Sequence, residues 1–147
     1  MYSKNVKSGY GTYIASNGDR YEGEWANDKR QGNGTLYMAN GDKYIGEWKD
    51  GEKSGKGIYY FSHGDTYDGN YGSNYLGYWL GGMRHGFGKY SWSIGDYYEG
   101  EWRFDKMNGK GKFKGADGSE YVGEFSNDNK VNWFVLYIAI FNIIIIK

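Results

Sequence analysis

The 147-residue chain contains no cysteine and no proline, only two histidines, and no net charge, its 18 basic residues matching its 18 acidic ones. Without cysteine there can be no disulfides and no thiolate-ligated zinc, so stability has to come from packing and pairing. The absence is compatible with a reducing, cytoplasmic setting. A balanced charge argues against nucleic-acid binding driven by bulk electrostatics, and no nucleic-acid partner is expected. Polar residues follow Met1 and no signal peptide is visible.

What the chain has in excess is glycine, 26 residues, and aromatic side chains, 20% of the total, including 17 Tyr and 6 Trp. A flexible glycine linker would not carry such rings. Their order explains them. Tyr21-Glu22-Gly23-Glu24-Trp25 returns as Tyr44-Ile45-Gly46-Glu47-Trp48, Tyr98-Glu99-Gly100-Glu101-Trp102 and Tyr121-Val122-Gly123-Glu124-Phe125. Looser copies begin at Tyr67 and Tyr75. The steps 21 to 44, 44 to 67, 75 to 98 and 98 to 121 are each 23 residues, the mark of an array of small supersecondary units. Glycine pairs at 9/11, 32/34, 55/57, 86/88 and 109/111 keep the same frame, as do Gly18, Gly41, Gly64, Gly95 and Gly118.

Each unit reads as two short strands sharing one aromatic face. In Tyr-x-Gly-x-Trp the period of two places Tyr21, Gly23 and Trp25 on one face and Glu22 and Glu24 on the other, solvated one. After each glycine pair, Gly34, Leu36 and Met38 share a face, as do Gly57, Tyr59 and Phe61, then Gly88, Tyr90 and Trp92. Asn17-Gly18 and Asn40-Gly41 predict type I′ hairpin turns. The other connections, 26–31, 49–54, 80–85 and 103–108, read as longer charged loops. Glycine weakens a strand interior, so its recurrence on the aromatic face predicts that rings from neighbouring strands lie over it.

Two segments break the frame. Tyr67 to Tyr98 spans 31 residues, eight too many, because 67–74 inserts a second copy of the strand word. It is either an extra strand, which would move the later long loops to the opposite edge, or a loop, which would leave them on the same edge. From Val131 to Ile146 the chain is almost wholly apolar. Sixteen residues span ~24 Å as a helix, short of the ~20 residues that cross a bilayer. Three readings stand: a membrane anchor, a cap folded on the aromatic face, or a truncated gene model in which Val131-Asn132 translates a splice-donor-like GTAAAT.

The frame Tyr-x-Gly-x-Trp, then Gly-x-Gly, then Asn-Gly-Asp and the next Tyr, resembles the MORN family (membrane occupation and recognition nexus) over about Gly9 to Phe125. The resemblance implies an all-β fold, an elongated, twisted, single-layer antiparallel array of about five hairpin units. The organisation would be a polar extension at 1–8, the array at 9–125 and a broken repeat with an apolar tail at 126–147. It also implies scaffold, cytoskeletal, ciliary or membrane-associated roles. Such arrays accompany enzymes such as phosphatidylinositol phosphate kinases and a lysine methyltransferase; neither catalytic segment is present here, and a further reading is a regulatory fragment of such a lipid kinase.

No catalytic, cofactor or metal site is expected. His63 and His85 are lone loop residues. The Glu22/Glu24 and Glu99/Glu101 pairs could suggest glycosidase carboxylates, but they recur with the strand pattern and read as a solvated face. Gly-x-Gly is not followed by Lys-Ser/Thr, so phosphate cradling is not indicated, and no calcium loop is present. The aromatic face is the expected partner surface, for a helix, an extended peptide or a second copy, through Tyr21, Trp25, Tyr44, Trp48, Tyr59, Tyr67, Trp79, Tyr98, Trp102 and Tyr121. The alternative is binding of anionic phospholipid by Lys29, Arg30, Lys53, Lys56, Arg84, Arg103 and Lys106, in or beside the long loops.

Overall fold

Rings and glycines alternating every second residue favour extended backbone, and the computed structural model, which describes residues 6–62 and 72–131, is built of strands. They are β1 (Gly9–Ile14), β2 (Arg20–Ala26), β3 (Lys29–Tyr37), β4 (Lys43–Lys49), β5 (Glu52–Tyr60), β6 (Asn74–Leu80), β7 (Met83–Ser91), β8 (Tyr97–Arg103), β9 (Lys106–Lys114), β10 (Glu120–Ser126) and β11 (Asn129–Lys130). All eleven form one open antiparallel sheet in chain order. This is the single-layer all-β array that the repeat pattern implies.

A one-layer sheet has no second layer to cover its core, and the rings cover one another instead. Tyr21, Tyr44, Tyr75 and Tyr98 are fully buried, with Trp48, Trp79, Trp102 and Phe125 nearly so. Edge-to-face contacts run without a break from Trp25 to Tyr21, Trp48, Tyr44 and Trp79, then through Tyr75, Trp102, Tyr98 and Phe125 to Tyr121, with centroids 4.8–5.4 Å apart. Within the zigzag, Tyr44 to Trp79 bridges the insertion and keeps the same edge-to-face geometry (5.4 Å, 83°). Each such pair adds about 0.5–1.5 kcal/mol beyond its buried area.

Glycine makes this layer possible. Gly23 pairs with Gly34, Gly46 with Gly57, Gly77 with Gly88 and Gly100 with Gly111. The Tyr two residues before the first glycine lies over both: a Cβ at Gly57 would come 2.6 Å from Tyr44 Cζ. One ring thus serves both strands: the second glycine of each pair lies under a ring from the neighbouring strand, as the repeat pattern predicts, and the first lies under the Tyr of its own strand. The neighbour contributes the Trp, whose indole N–H donates to the glycine carbonyl across the ladder: Trp48 to Gly34 (3.2 Å) and Trp102 to Gly88 (3.1 Å).

Beyond each glycine pair the within-unit register shifts at a β-bulge, which the sequence reading did not foresee. The first glycine of each Gly-x-Gly pair adopts the bulge's positive φ, as at Gly32 (59°) and Gly55 (56°). The carbonyl beside the interruption accepts the Tyr hydroxyl, as in Tyr21 to Glu24 O and Tyr44 to Glu47 O, both 3.1 Å. The bulge amide donates to the Glu carboxylate: Asn33 to Glu24 (2.8 Å) and Lys56 to Glu47 (3.1 Å). Those glutamates are bulge caps as well as members of the outer face.

The turn assignments exchange places. The connections read as long charged loops are two-residue turns with both residues at positive φ, the type I′ signature, as at Asn27 (50°) and Asp28 (64°) or Gly81 (56°) and Gly82 (79°). At Asn17-Gly18 only Gly18 takes positive φ (94°), and Ala15 N–H bonds to Asp19 O (2.8 Å) around a three-residue loop. That is a type I turn closed by a glycine bulge. Gly82 N–H donates to Lys53 O (3.0 Å), so the 49–54 and 80–85 turns share an edge. β5 also pairs directly with β6. No strand therefore stands between them, and of the inserted stretch 67–71 lies outside the described residues, as does 132–147.

Turns of successive units are tied by carboxylates. Asp19 accepts Ala39 N–H (2.9 Å), Asp42 accepts Ser62 N–H (2.7 Å) and Asp96 accepts Ala116 N–H (2.7 Å), while Ser73 stands in the same place and accepts Ser93 N–H (3.3 Å). Lys7, in the polar extension, is held the same way at the other edge, its N–H donating to Asp28 (2.8 Å).

Two predictions follow from this packing. Gly57→Val should cost at least about 2 kcal/mol in urea unfolding, because the Tyr44 ring cannot move off the ladder without breaking its hydrogen bond. Burial of Asp42 works to raise its carboxyl, but hydrogen bonds from Ser62, Tyr59 and Asn40 outweigh it and hold the group below the usual carboxylate range. A depressed folded-state value means stability present above the unfolded value of about 3.9 and lost as pH falls through the folded one. Asp42→Asn should lower the melting temperature at neutral pH, by the equivalent of about 1–2 kcal/mol, and flatten the acid limb of its pH profile.

Candidate functional site

The aromatic face is three rows deep. The first is the buried zigzag of Tyr and Trp. Of the residues expected to meet a partner, Tyr21, Tyr44, Trp48, Trp79, Tyr98 and Trp102 belong to it, and each exposes 6% of its surface or less. They hold the sheet together and offer a ligand almost no area. Trp25, Tyr59 and Tyr121 are half-buried, and Tyr67 lies outside the described residues.

The second row lies beside the zigzag and is only partly buried. It consists of Leu36, Met38, Tyr59, Phe61, Tyr90, Trp92 and Phe113. Its rings are contiguous: Tyr59 to Phe61 (4.5 Å), Phe61 to Tyr90 (5.5 Å), Tyr90 to Trp92 (4.6 Å) and Trp92 to Phe113 (5.9 Å). These residues follow each glycine pair at every second position, and that alternation is the signal that finds them. The Tyr-x-Gly-x-Trp word draws attention to the core beneath them.

The third row is cationic. Arg30, Lys53 and Arg84 occupy the same place in successive units, with their charged ends over the rings: Arg30 over Trp48 (4.2 Å), Lys53 over Trp79 (4.3 Å) and Tyr59 (4.6 Å), Arg84 over Trp102 (4.5 Å). Lys7 over Tyr13 (3.5 Å) and Lys130 over Phe113 (4.8 Å) continue the row at its ends. Burial lowers the pKa of Lys53 and Arg30. Arg84 is also paired with Asp105 (3.0 Å), and Arg30 donates to Gly51 O (2.7 Å).

The seven cations expected to form one lipid-binding edge are thereby divided. Trp25 pairs with Arg30 and Ala26 with Lys29, so strand alternation sends Lys29 to the opposite face. Lys56 pairs with Tyr78, and Arg103 with Lys106, also on that face. There Lys29 faces Asp50 (3.9 Å), Lys106 pairs with Asp128 (2.8 Å), and Lys56 and Arg103 lie near the rings of Tyr78 and Phe104. The opposite face is less uniformly polar than its glutamates suggest, because Ile45, Leu76, Phe87 and Val122 are exposed on it.

Among the described residues no group of His, Asp or Glu could hold a metal ion, and no helix is long and apolar enough to cross a membrane. His85 packs against Phe104 (5.1 Å), and His63 lies outside the described residues.

A comparison with curated proteins finds no match. A comparison with family models matches the MORN repeat at residues 1–20, 21–43, 44–66, 75–97 and 98–120. These boundaries fall on Tyr21, Tyr44, Tyr75 and Tyr98, the rings that open each strand pair, and they pass over the insertion as the sheet does. MORN repeats are a binding and scaffolding module. With five units covering most of its length, the chain belongs to the MORN-repeat family.

Proposed function

We propose that the protein is a non-catalytic scaffold whose aromatic face takes an amphipathic helix with acidic residues along its flank. The observation that carries this reading is the second row, a continuous half-exposed strip of rings from Tyr59 to Phe113 with Lys53 and Arg84 beside it. Rings with a large apolar area and few rotatable bonds, next to cations, are suited to anchoring a partner. Spacing supports a helix. One unit advances the array by two strands, about 9.6 Å, and seven residues advance a helix by about 10.5 Å. A helix lying along the array thus presents nearly the same face to each unit. An acidic flank complements the cation row.

Peripheral binding to anionic phospholipid is the alternative. It has less support, because the loop cations are split between two faces and several are paired with carboxylates.

The full chain and a Phe61→Ser/Trp92→Ser variant, used as baits in cell extract, test the reading. The variant should retain about tenfold less of the bound protein, while an Ile45→Ser/Leu76→Ser control on the opposite face retains it. Equal capture by all three baits, or salt-sensitive flotation with anionic vesicles that the ring substitutions leave unchanged, would overturn it.

A further inference from the structure

The two ends of the sheet are complementary. By repeat position β1 is equivalent to β3, β5, β7 and β9, the second strands of their units, and β10 is equivalent to the first strands. Inside the sheet each second-strand glycine, from Gly34 to Gly111, lies under the Tyr ring of the strand before it. Gly11 is the exception: a Cβ there would meet only Trp25, at 3.9 Å. Gly9 is likewise open, whereas its equivalents Gly32, Gly55 and Gly109 sit against the carboxylates of Glu24, Glu47 and Glu101. At the other end these vacancies have their counterparts. The Tyr121 ring covers its own Gly123 with no second glycine beside it, and among the described residues no amide reaches the Glu124 carboxylate. β11 covers Phe125 and Ser126, and Val131 beyond it donates its N–H to Glu124 O (2.8 Å) and accepts the Tyr121 hydroxyl (3.0 Å), so among the described residues the backbone of Glu120–Gly123 has no strand partner on its outer side.

We infer that β1 of one copy adds to β10 of another, joining the chains head to tail. The β2–β3 register, carried over, pairs Gly11 with Gly123, Thr12 with Val122, Tyr13 with Tyr121 and Ile14 with Glu120. Tyr121 then lies over Gly11 as Tyr21 lies over Gly34, and Glu124 caps the Tyr10 amide as Glu24 caps Asn33. In the 23-residue frame the position equivalent to Gly34 and Gly111 after Tyr121 is Phe134, not glycine. Full closure exchanges the short β11 and Val131 for Val6, Lys7 and Ser8 of the incoming copy, Lys7 taking the place of Lys130. Like ends do not join: two β10 edges would bring both Tyr121 rings onto one glycine pair, and two β1 edges supply sockets without a ring. The contact is heterologous and repeats, so it builds rods instead of closed dimers. It involves the sheet edges and does not depend on what the aromatic face binds.

The test uses the full chain, which has no native cysteine to interfere. Thr12→Cys and Val122→Cys, both at exposed positions, are oxidised separately and as a mixture. A disulfide-linked pair should form in the mixture alone, since direct cross-strand partners lie within disulfide reach. In sedimentation the unsubstituted chain should show mass rising with concentration above 16.8 kDa. Gly11→Ala should be monomeric with an unchanged melting temperature, because its own sheet has room for a Cβ there, whereas a Cβ at the equivalent Gly34 would strike the covering Tyr ring. Either variant cross-linking equally well alone, an absence of cross-linking, or association that survives Gly11→Ala would each overturn the inference.

Discussion

A tyrosine ring lying flat on a pair of facing glycines is the contact on which the rest of the molecule depends. A sheet one layer thick can only dry its rings against its own backbone and against each other. Side chains on the two ladder positions beneath Tyr44 would lift the ring away, and Gly46 and Gly57 leave it in contact with the peptide planes. The bulge beyond the pair releases a carbonyl for the buried phenol, and the next unit's indole N–H takes up the glycine carbonyl across the ladder. Burial of a polar hydroxyl is costly unless it is bonded, so ring, bulge and glycines have to occur together. The 23-residue spacing keeps them in step.

This arrangement separates residues that build from residues that remain available. The most repetitive side chains, Tyr21, Tyr44, Trp48 and their equivalents, are consumed by the zigzag. Less regular positions vary without disturbing it. Leu36 becomes Tyr59, Tyr90 and Phe113 in later units, and the cation position passes from Arg30 to Lys53 and Arg84, then to Met107. Surface character along the face can thus differ from unit to unit over one unchanged framework. The same economy explains the insertion at 67–74. Ser73 takes over the turn-linking role of Asp42, and Tyr75 joins the zigzag in the place that 23-residue spacing would have given to Tyr67.

Period and alternation were enough to read the strands, their shared face and their number of units from the sequence, because both are one-dimensional properties. Finer backbone geometry was not legible in the same way. Asn17-Gly18 carries the dipeptide of a type I′ turn, yet the strand ends there are spaced for a three-residue loop, and Asn27-Asp28 adopts the type I′ geometry without a glycine. The split of Arg30 from Lys29 follows from alternation within one strand, which a search for charged loops overlooks. The second row was visible as the aromatic alternation after each glycine pair. It was obscured because the more conspicuous repeated word marks the core.

The central claim is that Tyr21, Tyr44, Tyr75 and Tyr98 form a dry layer sealed by glycine, and a spectrophotometric titration of the tyrosines tests it most directly. Burial raises Tyr21 and Tyr98 to about 12, and Tyr44 and Tyr75 are raised as well. A raised folded-state value keeps the neutral phenol favoured, so its contribution to stability is whole below about pH 10 and is lost as pH climbs through the folded values. Tyr21, Tyr44, Tyr75 and Tyr98 should stay neutral well past pH 10 and ionise only together with loss of the strand signal. All 17 tyrosines ionising in one step near pH 10, with the strands retained, would contradict the account.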